Sequence, residues 1–142
     1  MARRRRTQVL RHLILAVLAT EVELHGYGIY KRIVYVTQSV WRPSIGTLYR
    51  TLNEMTREEL VNKVVVSGRK VIYRITERGF ETLAKETLPH ATKSAGILSE
   101  FIEAYRMMHG RGDLTALPEE FKERLLRLHK ALEEFLKEFK IT

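Results

Sequence analysis

The sequence predicts a mainly α-helical protein with one small β-hairpin. Over most of the 142 residues, apolar side chains recur every three or four positions, whereas residues 61–75 contain two β-branched runs joined by a short turn. Charge divides the chain as well, because residues 1–75 hold 14 Lys and Arg against 5 Asp and Glu, and residues 76–142 hold 11 against 12. The basic first half is therefore the part expected to meet a polyanion.

Composition excludes several classes of protein. Apolar residues make up 44% and charged residues 30% of the chain, which is a globular balance, and no cysteine is present for a disulfide or a thiol nucleophile. The sequence contains no phosphate-binding loop, zinc-protease or serine-hydrolase motif, and its five histidines form no helical i, i+4 pair. We therefore expect no enzyme, metal or cofactor. No apolar run is long enough to span a membrane, so a membrane is not an expected partner.

The first helix is predicted with Thr7 as its N-cap. Its core side follows the spacing i, i+3, i+4, i+7, i+8 and consists of Leu10, Leu13, Ile14, Val17 and Leu18. The basic run Arg3–Arg6 and the apolar segment 13–19 also resemble the start of a secretory signal. That segment is short, however, and Arg11 and His12 precede it directly. A cytoplasmic protein is expected instead.

Two more helices are predicted before residue 60. The second runs from about Tyr27 to Val36 and follows a loop containing His25, which we interpret as a turn or capping residue. Pro43 disfavours helix at the residue before it, so a third helix starts afresh with Ser44 as N-cap. The expected core stripes of these helices are Ile29, Tyr30, Ile33 and Val34 in the second, and Ile45, Leu48, Leu52 and Met55 in the third.

Strands are predicted at residues 61–66 and 70–75, and Thr76 is the expected N-cap of a fourth helix that begins at Glu77. Three helices followed by a hairpin is the order of a winged helix-turn-helix domain. In that fold the third helix enters the major groove of DNA, and the hairpin, called the wing, reaches neighbouring phosphates. The sequence thus predicts a DNA-binding domain over residues 1–87.

Residues 88–142 are predicted to form a helical dimerisation region. The helical period continues to Tyr105, a flexible joint follows at residues 110–112, and Pro118 stands at the first position of a last helix. That helix carries a heptad stripe consisting of Phe121, Leu125, Leu128, Leu132, Phe135 and Phe139. Packing on the preceding helix of the same chain or pairing with a second subunit would bury this stripe. We expect both at once, in a small helical bundle in which the last helix closes the dimer interface.

Three sequence strings resemble the PadR family of transcriptional regulators: HGYGI at residues 25–29, WRPSIGTLYRTL at 41–52 and ITERG at 75–79. The resemblance implies a cytoplasmic, homodimeric winged-helix protein that binds double-stranded DNA, usually as a repressor, and dimerises through its C-terminal helices. Two positions depart from the family pattern. Gly28 stands where an acidic residue is common. Glu59 stands where glycine usually ends the third helix, so we expect a longer or differently turned exit from that helix.

The candidate DNA contacts lie around the third helix and the wing, and they are Tyr27, Arg42, Ser44, Thr47, Tyr49, Arg50, Arg69 and Lys70. Thr47 and Arg50 are expected in the major groove, since arginine can bind guanine through two hydrogen bonds, whereas Ser44 either contacts a phosphate or only caps the helix. Tyr49 is expected to pack its ring and offer its hydroxyl to a phosphate. The alternative for each residue is an ordinary solvated position.

The predicted function is that of a homodimeric transcriptional regulator on a palindromic operator, with its two third helices in major grooves about 34–36 Å apart. Residues 3–6 are either a minor-groove arm or a solvated tail, and Trp41 is expected in the core or at an interface. Two alternatives stay open: a non-specific architectural DNA-binding protein, and a helical module for acidic proteins or membranes. Regulation would require an effector that changes the separation of the two helices, and no residue identifies such a molecule.

Overall fold

The computed structural model describes residues 2–37 and 41–141, without the side chains of residues 2 and 3. The described residues are mainly helical with one antiparallel hairpin, as predicted. Their elements in chain order are α1 (Ala2–Thr20), α2 (Gly26–Thr37), α3 (Ile45–Arg57), β1 (Val61–Ser67), β2 (Lys70–Ile75), α4 (Glu77–Gly110) and α5 (Glu119–Glu138). The chain forms two compact units, residues 1–94 and 95–142. No helix in the described ranges is both long and apolar enough to cross a bilayer.

The core of the first unit is built from one face of each of the first three helices together with the wing. Its fully buried side chains are Leu10, Ile14, Leu15, Leu18, Ile29, Ile33, Leu48, Leu52, Met55 and Val61. The predicted stripes of α1 and α2 are confirmed, with Leu13, Tyr30 and Val34 half-buried at their edges. Each large side chain removed from water contributes about 1.5–3 kcal/mol, so this core holds α3 and the wing in a fixed relation.

Two predictions for helix positions are wrong. α1 begins at Ala2, so Thr7 lies inside the helix instead of capping it. Alanine and arginine are good helix formers, and no residue between 2 and 7 stops the helix. In α3, Ile45 is 42% exposed whereas Thr51 is 3% exposed. Ile45 stands in the first turn at the edge of the stripe, while Thr51 donates its hydroxyl hydrogen to the Thr47 carbonyl oxygen at 2.8 Å and can therefore be buried.

The exit from α3 is a left-handed turn of the kind that glycine usually makes. The Leu60 N–H donates to the Met55 carbonyl oxygen at 3.0 Å. The Glu59 N–H donates to the Thr56 carbonyl oxygen at 3.1 Å, which completes a Schellman motif. Glu59 itself adopts a φ of 61°, which costs a residue with a side chain about 1–2 kcal/mol. The predicted longer exit is therefore wrong, because the turn keeps its ordinary length and Glu59 bears the strain.

The wing is an antiparallel hairpin with Val61 opposite Ile75 at its base and a bulge near its tip. Its second strand is also joined to the loop before α2. The Leu24 N–H donates to the Tyr73 carbonyl oxygen at 3.2 Å, and the Tyr73 N–H donates to the Leu24 carbonyl oxygen at 2.8 Å. This pair of bonds attaches the start of α2 to the wing.

The predicted cap of α4 is confirmed. The Thr76 hydroxyl accepts a hydrogen bond from the Gly79 N–H at 2.9 Å and donates one to the Glu59 carbonyl oxygen at 2.7 Å. A Cβ at Gly79 would lie 2.3 Å from the Leu60 carbonyl oxygen, so the absence of a side chain allows the start of α4 to approach the end of α3 this closely. α4 then continues through Pro89.

The second unit contains the C-terminal part of α4 and all of α5, which begins one residue later than predicted because Pro118 is its N-cap. The Tyr105 and Phe121 rings meet edge to face with their centroids 6.0 Å apart, and Leu125 is half-buried nearby on α5. No side chain of α5, which the structure describes completely, is fully buried. The exposed members of the heptad stripe are Leu128, Leu132, Phe135 and Phe139.

Candidate nucleic-acid interface

Three of the predicted contact residues form one hydrogen-bonded group at the N-terminal end of α3. Ser44 caps the helix, since its Oγ accepts a hydrogen bond from the Thr47 N–H at 3.1 Å and donates one to Thr47 Oγ1 at 2.8 Å. The Arg50 guanidinium donates to the same Thr47 oxygen at 3.5 Å. Ser44 and Arg50 are exposed. The group therefore presents a hydroxyl and a guanidinium next to the unpaired N–H groups of a helix start, which is a favourable surface for an anion.

A cleft beside this turn, called here the arginine cleft, brings together arginines from three parts of the chain. Arg6 comes from α1, Arg42 from the segment before α3, and Arg50 from α3 itself. Trp41 also lines the cleft and packs half-buried against the core, as expected. The remaining lining residues are Thr7, Leu10, Pro43, Ser44 and Thr47.

A second cleft, called here the wing cleft, lies between the start of α2, α3 and the wing. It brings together four predicted contact residues, and its full lining is His25, Gly26, Tyr27, Tyr49, Asn53, Lys63, Arg69, Lys70, Val71 and Tyr73. Sequence reasoning missed Asn53 and Lys63. Asn53 stands one helical turn after Tyr49, so the helical period could have identified it. The position of Lys63 depends on the hairpin register, which places it opposite Tyr73.

The tyrosines of the wing cleft have different surroundings. The Tyr27 ring is exposed and stacks on that of Tyr30, with 6.3 Å between the centroids. Tyr49 is 38% exposed, and its ring lies against the backbone of Gly26. Tyr73 is buried, and its burial, together with the nearby Tyr49, raises the pKa of its hydroxyl. Tyr73 is therefore harder to deprotonate than an exposed tyrosine.

The cations of the two clefts differ from other arginines of the first unit in whether they form ion pairs. Elsewhere in that unit, ion pairs join Arg11 to Glu58, Arg32 to Glu21 and, at 2.6 Å, Arg74 to Glu23. No such pair with a described residue is formed by the six cleft cations Arg6, Arg42, Arg50, Lys63, Arg69 and Lys70. The clefts thus carry positive charge that no carboxylate among the described residues neutralises.

Two further expectations concern the N-terminal arm and a metal. Arg4, Arg5 and Arg6 are exposed on the first turns of α1, while the side chain of Arg3 lies outside the described residues. Three cations at a helix N-terminus oppose the helix dipole, so a bound anion would stabilise this turn. Within residues 2–37 and 41–141, no group of three His, Asp or Glu side chains is placed to hold a metal ion.

The fold of the first unit is that of a winged helix-turn-helix protein, with a cationic face on its third helix and wing. The sequence model of the transcriptional regulator PadR-like family matches residues 14–85, just over half of the chain, from α1 into α4. The chain therefore belongs to the PadR-like family of transcriptional regulators, and it is a regulator rather than an enzyme.

Solved structures share the fold at low sequence identity. A transcriptional regulator from Clostridium thermocellum is 21% identical with a TM-score of 0.54, and the match covers 66% of this chain and 89% of that chain. PadR from Bacillus subtilis, crystallised in complex with operator DNA, is 23% identical with a TM-score of 0.51, over 89% of this chain and 91% of that chain. No curated protein sequence is significantly similar to this chain.

Proposed function

We propose that the protein is a cytoplasmic transcriptional repressor that binds a palindromic DNA operator as a homodimer. The observation that carries this proposal is the set of cations in the arginine cleft and the wing cleft that form no ion pair with a described residue, on a unit where three other arginines are paired with glutamates. A DNA duplex carries a phosphate charge about every 1.7 Å along its axis, and cationic side chains that bind it release condensed counterions. A protein face whose cationic side chains have no described ion-pair partner is suited to bind a DNA duplex.

The contacts proposed for α3 divide between bases and backbone. Arg50 and Thr47 would read base edges in the major groove, where arginine can donate to both O6 and N7 of one guanine. The Arg50 bond to Thr47 is long, at 3.5 Å, so exchanging it for a guanine costs little. Arg42 and Ser44 stand at the helix start, where a guanidinium, a hydroxyl and backbone N–H groups fit a phosphate.

The contacts proposed for the wing are with the sugar–phosphate backbone. Lys63, Arg69 and Lys70 supply charge from the two strands, and the hydroxyls of Tyr27 and Tyr49 supply hydrogen bonds from the helices on the opposite side of the wing cleft. The exposed arginines at the start of α1 add affinity for any duplex without adding sequence preference.

The exposed stripe of α5 supports the homodimer. Leu128, Leu132, Phe135 and Phe139 are exposed in the single chain, and each large apolar side chain left in water forfeits about 1.5–3 kcal/mol. A second copy presents the same stripe, so a two-fold symmetric pairing buries both. Such a dimer carries two copies of α3, which match two operator half-sites about 34–36 Å apart.

The repressor part of the proposal rests on family membership and on the resemblance of residues 25–29 and 41–52 to PadR regulators. PadR of Bacillus subtilis, which has the same fold, binds operator DNA. An effector would act on the repressor by changing the distance between the two α3 helices.

Selection of duplexes from a random pool by the full-length protein tests the proposal. We expect the selected duplexes to be palindromic and to bind at least about 10³-fold more tightly than random duplex, with an affinity that falls as salt rises. Equal affinity for selected and random duplexes would identify an architectural DNA-binding protein. Binding to anionic vesicles or acidic proteins as tight as binding to DNA would identify an interaction module. Either result overturns the proposal.

A further inference from the structure

We propose that Gly26 is a positioning residue for DNA binding: its lack of a side chain lets the Tyr49 ring lie on the backbone of α2 and thereby keeps the wing cleft open. The inference rests on the proposed binding of a duplex at that cleft. It assigns a role to a residue that contacts no DNA itself and acts only through Tyr49.

The contact between Gly26 and Tyr49 is too close for a side chain at position 26 while the Tyr49 ring keeps its place. A Cβ at Gly26 would lie 2.4 Å from Cε1 of Tyr49, and 2.7 Å from both Cζ and the hydroxyl oxygen. Gly26 does not have a positive φ, so its backbone conformation is open to other residues. The ring of Tyr49 is therefore the reason that a side chain is excluded at this position.

Gly26 differs in this respect from Gly79. A Cβ at Gly79 would meet the Leu60 carbonyl oxygen, which belongs to the backbone and cannot move without distorting the turn. The three atoms nearest to a Cβ at Gly26 all belong to the outer end of the Tyr49 side chain, which is 38% exposed and can rotate. Alanine at position 26 should therefore leave the fold intact and displace the ring.

The wing cleft is a space that the displaced ring can enter. The backbone at Gly26 cannot retreat, because the two hydrogen bonds between Leu24 and Tyr73 attach this end of α2 to the wing. Gly26 and Tyr49 both line the wing cleft, so the ring would swing into it. There it would occupy the space in front of Lys63 and Arg69 that the proposed phosphate backbone needs.

A double-mutant cycle on the full-length protein tests the inference. The probe is a duplex selected from a random pool by the wild type, and the variants are Gly26→Ala, Tyr49→Leu and the two combined. We expect Gly26→Ala to weaken binding roughly 10-fold and the combined variant to bind no more weakly than the weaker single variant, because residues in contact are not additive. Without the ring, the added Cβ has nothing to displace.

The matched control is Gly28→Ala on the same helix. A Cβ there would meet the side chains of Leu24 and His25, at 3.3 and 3.6 Å, and would not meet Tyr49. We expect this control to bind the selected duplex like the wild type.

A readout without DNA is the NMR chemical shift of the Gly26 α-protons, which the Tyr49 ring current should displace in the wild type and not in Tyr49→Leu.

Three results would overturn the inference about Gly26 and leave the proposed function standing. They are wild-type affinity in Gly26→Ala, additive losses in the combined variant, and Gly26 α-proton shifts that do not respond to Tyr49→Leu. If Gly26→Ala fails to fold, the combined variant must fold, and its failure to do so also counts against the inference. A wild type that selects no duplex overturns the proposed function and this inference with it.

Discussion

The two compact units of the chain differ in how they bury apolar side chains. In the first unit, α1, α2, α3 and the wing enclose residues such as Ile14, Leu52 and Met55, which have no exposed surface. In the second unit, no residue of α5 is fully buried, and Leu132 is 49% exposed at the centre of an apolar stripe. The first unit is therefore stabilised by packing within the chain, whereas the stripe of the second gains full burial only from another surface.

Truncation of a leucine should affect the two units very differently. We expect Leu52→Ala to lower the free energy of unfolding of the first unit by about 2–5 kcal/mol, because it leaves a cavity in a closed core. The control is Leu126→Ala on α5, where the side chain is 70% exposed and the change should be within about 0.5 kcal/mol. Urea unfolding followed by the fluorescence of Trp41 measures the stability of the first unit, and circular dichroism follows the unfolding of both units. Equal losses would contradict the comparison.

A charge on the stripe should separate the proposed subunits without unfolding the first unit. Leu132→Glu places a carboxylate where burial without a partner is costly, so we expect a monomer by sedimentation at micromolar concentration. Operator affinity should fall about 10²–10⁴-fold, since the two half-sites are then bound independently. Leu126→Glu, which lies off the stripe, should remain dimeric and bind normally. A dimeric Leu132→Glu would place the dimer interface elsewhere.

Removing one cation from each unit shows which unit carries the DNA contacts. We expect Arg50→Ala to cost about 1–3 kcal/mol of specific binding if it pairs with guanine, and to leave binding to random duplex nearly unchanged. Lys130→Ala removes the same charge from α5 and should alter neither affinity. Competition binding at fixed salt measures both variants. Equal weakening for specific and random duplexes would make Arg50 a phosphate contact, and no weakening would exclude it from the interface.

The smallest expected effect concerns two left-handed residues, one in each unit. Glu59 ends α3 with a φ of 61° and Lys140 follows α5 with a φ of 53°. We expect Glu59→Gly to raise the free energy of unfolding by about 1 kcal/mol, because glycine adopts this conformation without the steric cost. Lys140→Gly should have no measurable effect, since α5 has no fully buried side chain and its last turn opens before the unit unfolds. Thermal unfolding of both variants measures the change in the free energy of unfolding. A Glu59→Gly variant less stable than the wild type would refute the prediction.

Local features of the fold could be predicted from the sequence because local chemistry determines them. The i, i+3, i+4 spacing of α1 was sufficient to identify its buried face, and the hydroxyls of Ser44 and Thr76 were sufficient to mark the starts of α3 and α4. The same kind of signal misplaces the start of α1. Thr7 is a good cap residue inside a helix that good helix formers extend to Ala2.

The charge pattern of the interface could not be predicted, because ion pairing depends on contacts between distant parts of the chain. Nothing in the sequence distinguishes an arginine that forms an ion pair from one that does not. The Arg11 guanidinium pairs with the Glu58 carboxylate, 47 positions later in the chain, whereas Arg50 pairs with no described carboxylate. Lys63 enters the wing cleft through the hairpin register alone. The exclusion of a side chain at Gly26 likewise depends on the placement of a tyrosine 23 positions later.

The junction at Thr76 ties helix capping to the alignment of the two wing strands. Its hydroxyl accepts from the Gly79 N–H, which is a local cap of α4, and it also donates to the Glu59 carbonyl oxygen, which requires that Val61 stand opposite Ile75. A slip of one residue would turn every strand side chain to the other face and would also carry Thr76 away from Glu59. The hydrogen bond from the Thr76 hydroxyl to Glu59 would then be lost, which costs about 0.5–1.5 kcal/mol beyond the lost packing, whereas the local cap of α4 would remain. The residue that caps α4 thus also stabilises the correctly aligned hairpin relative to a slipped one.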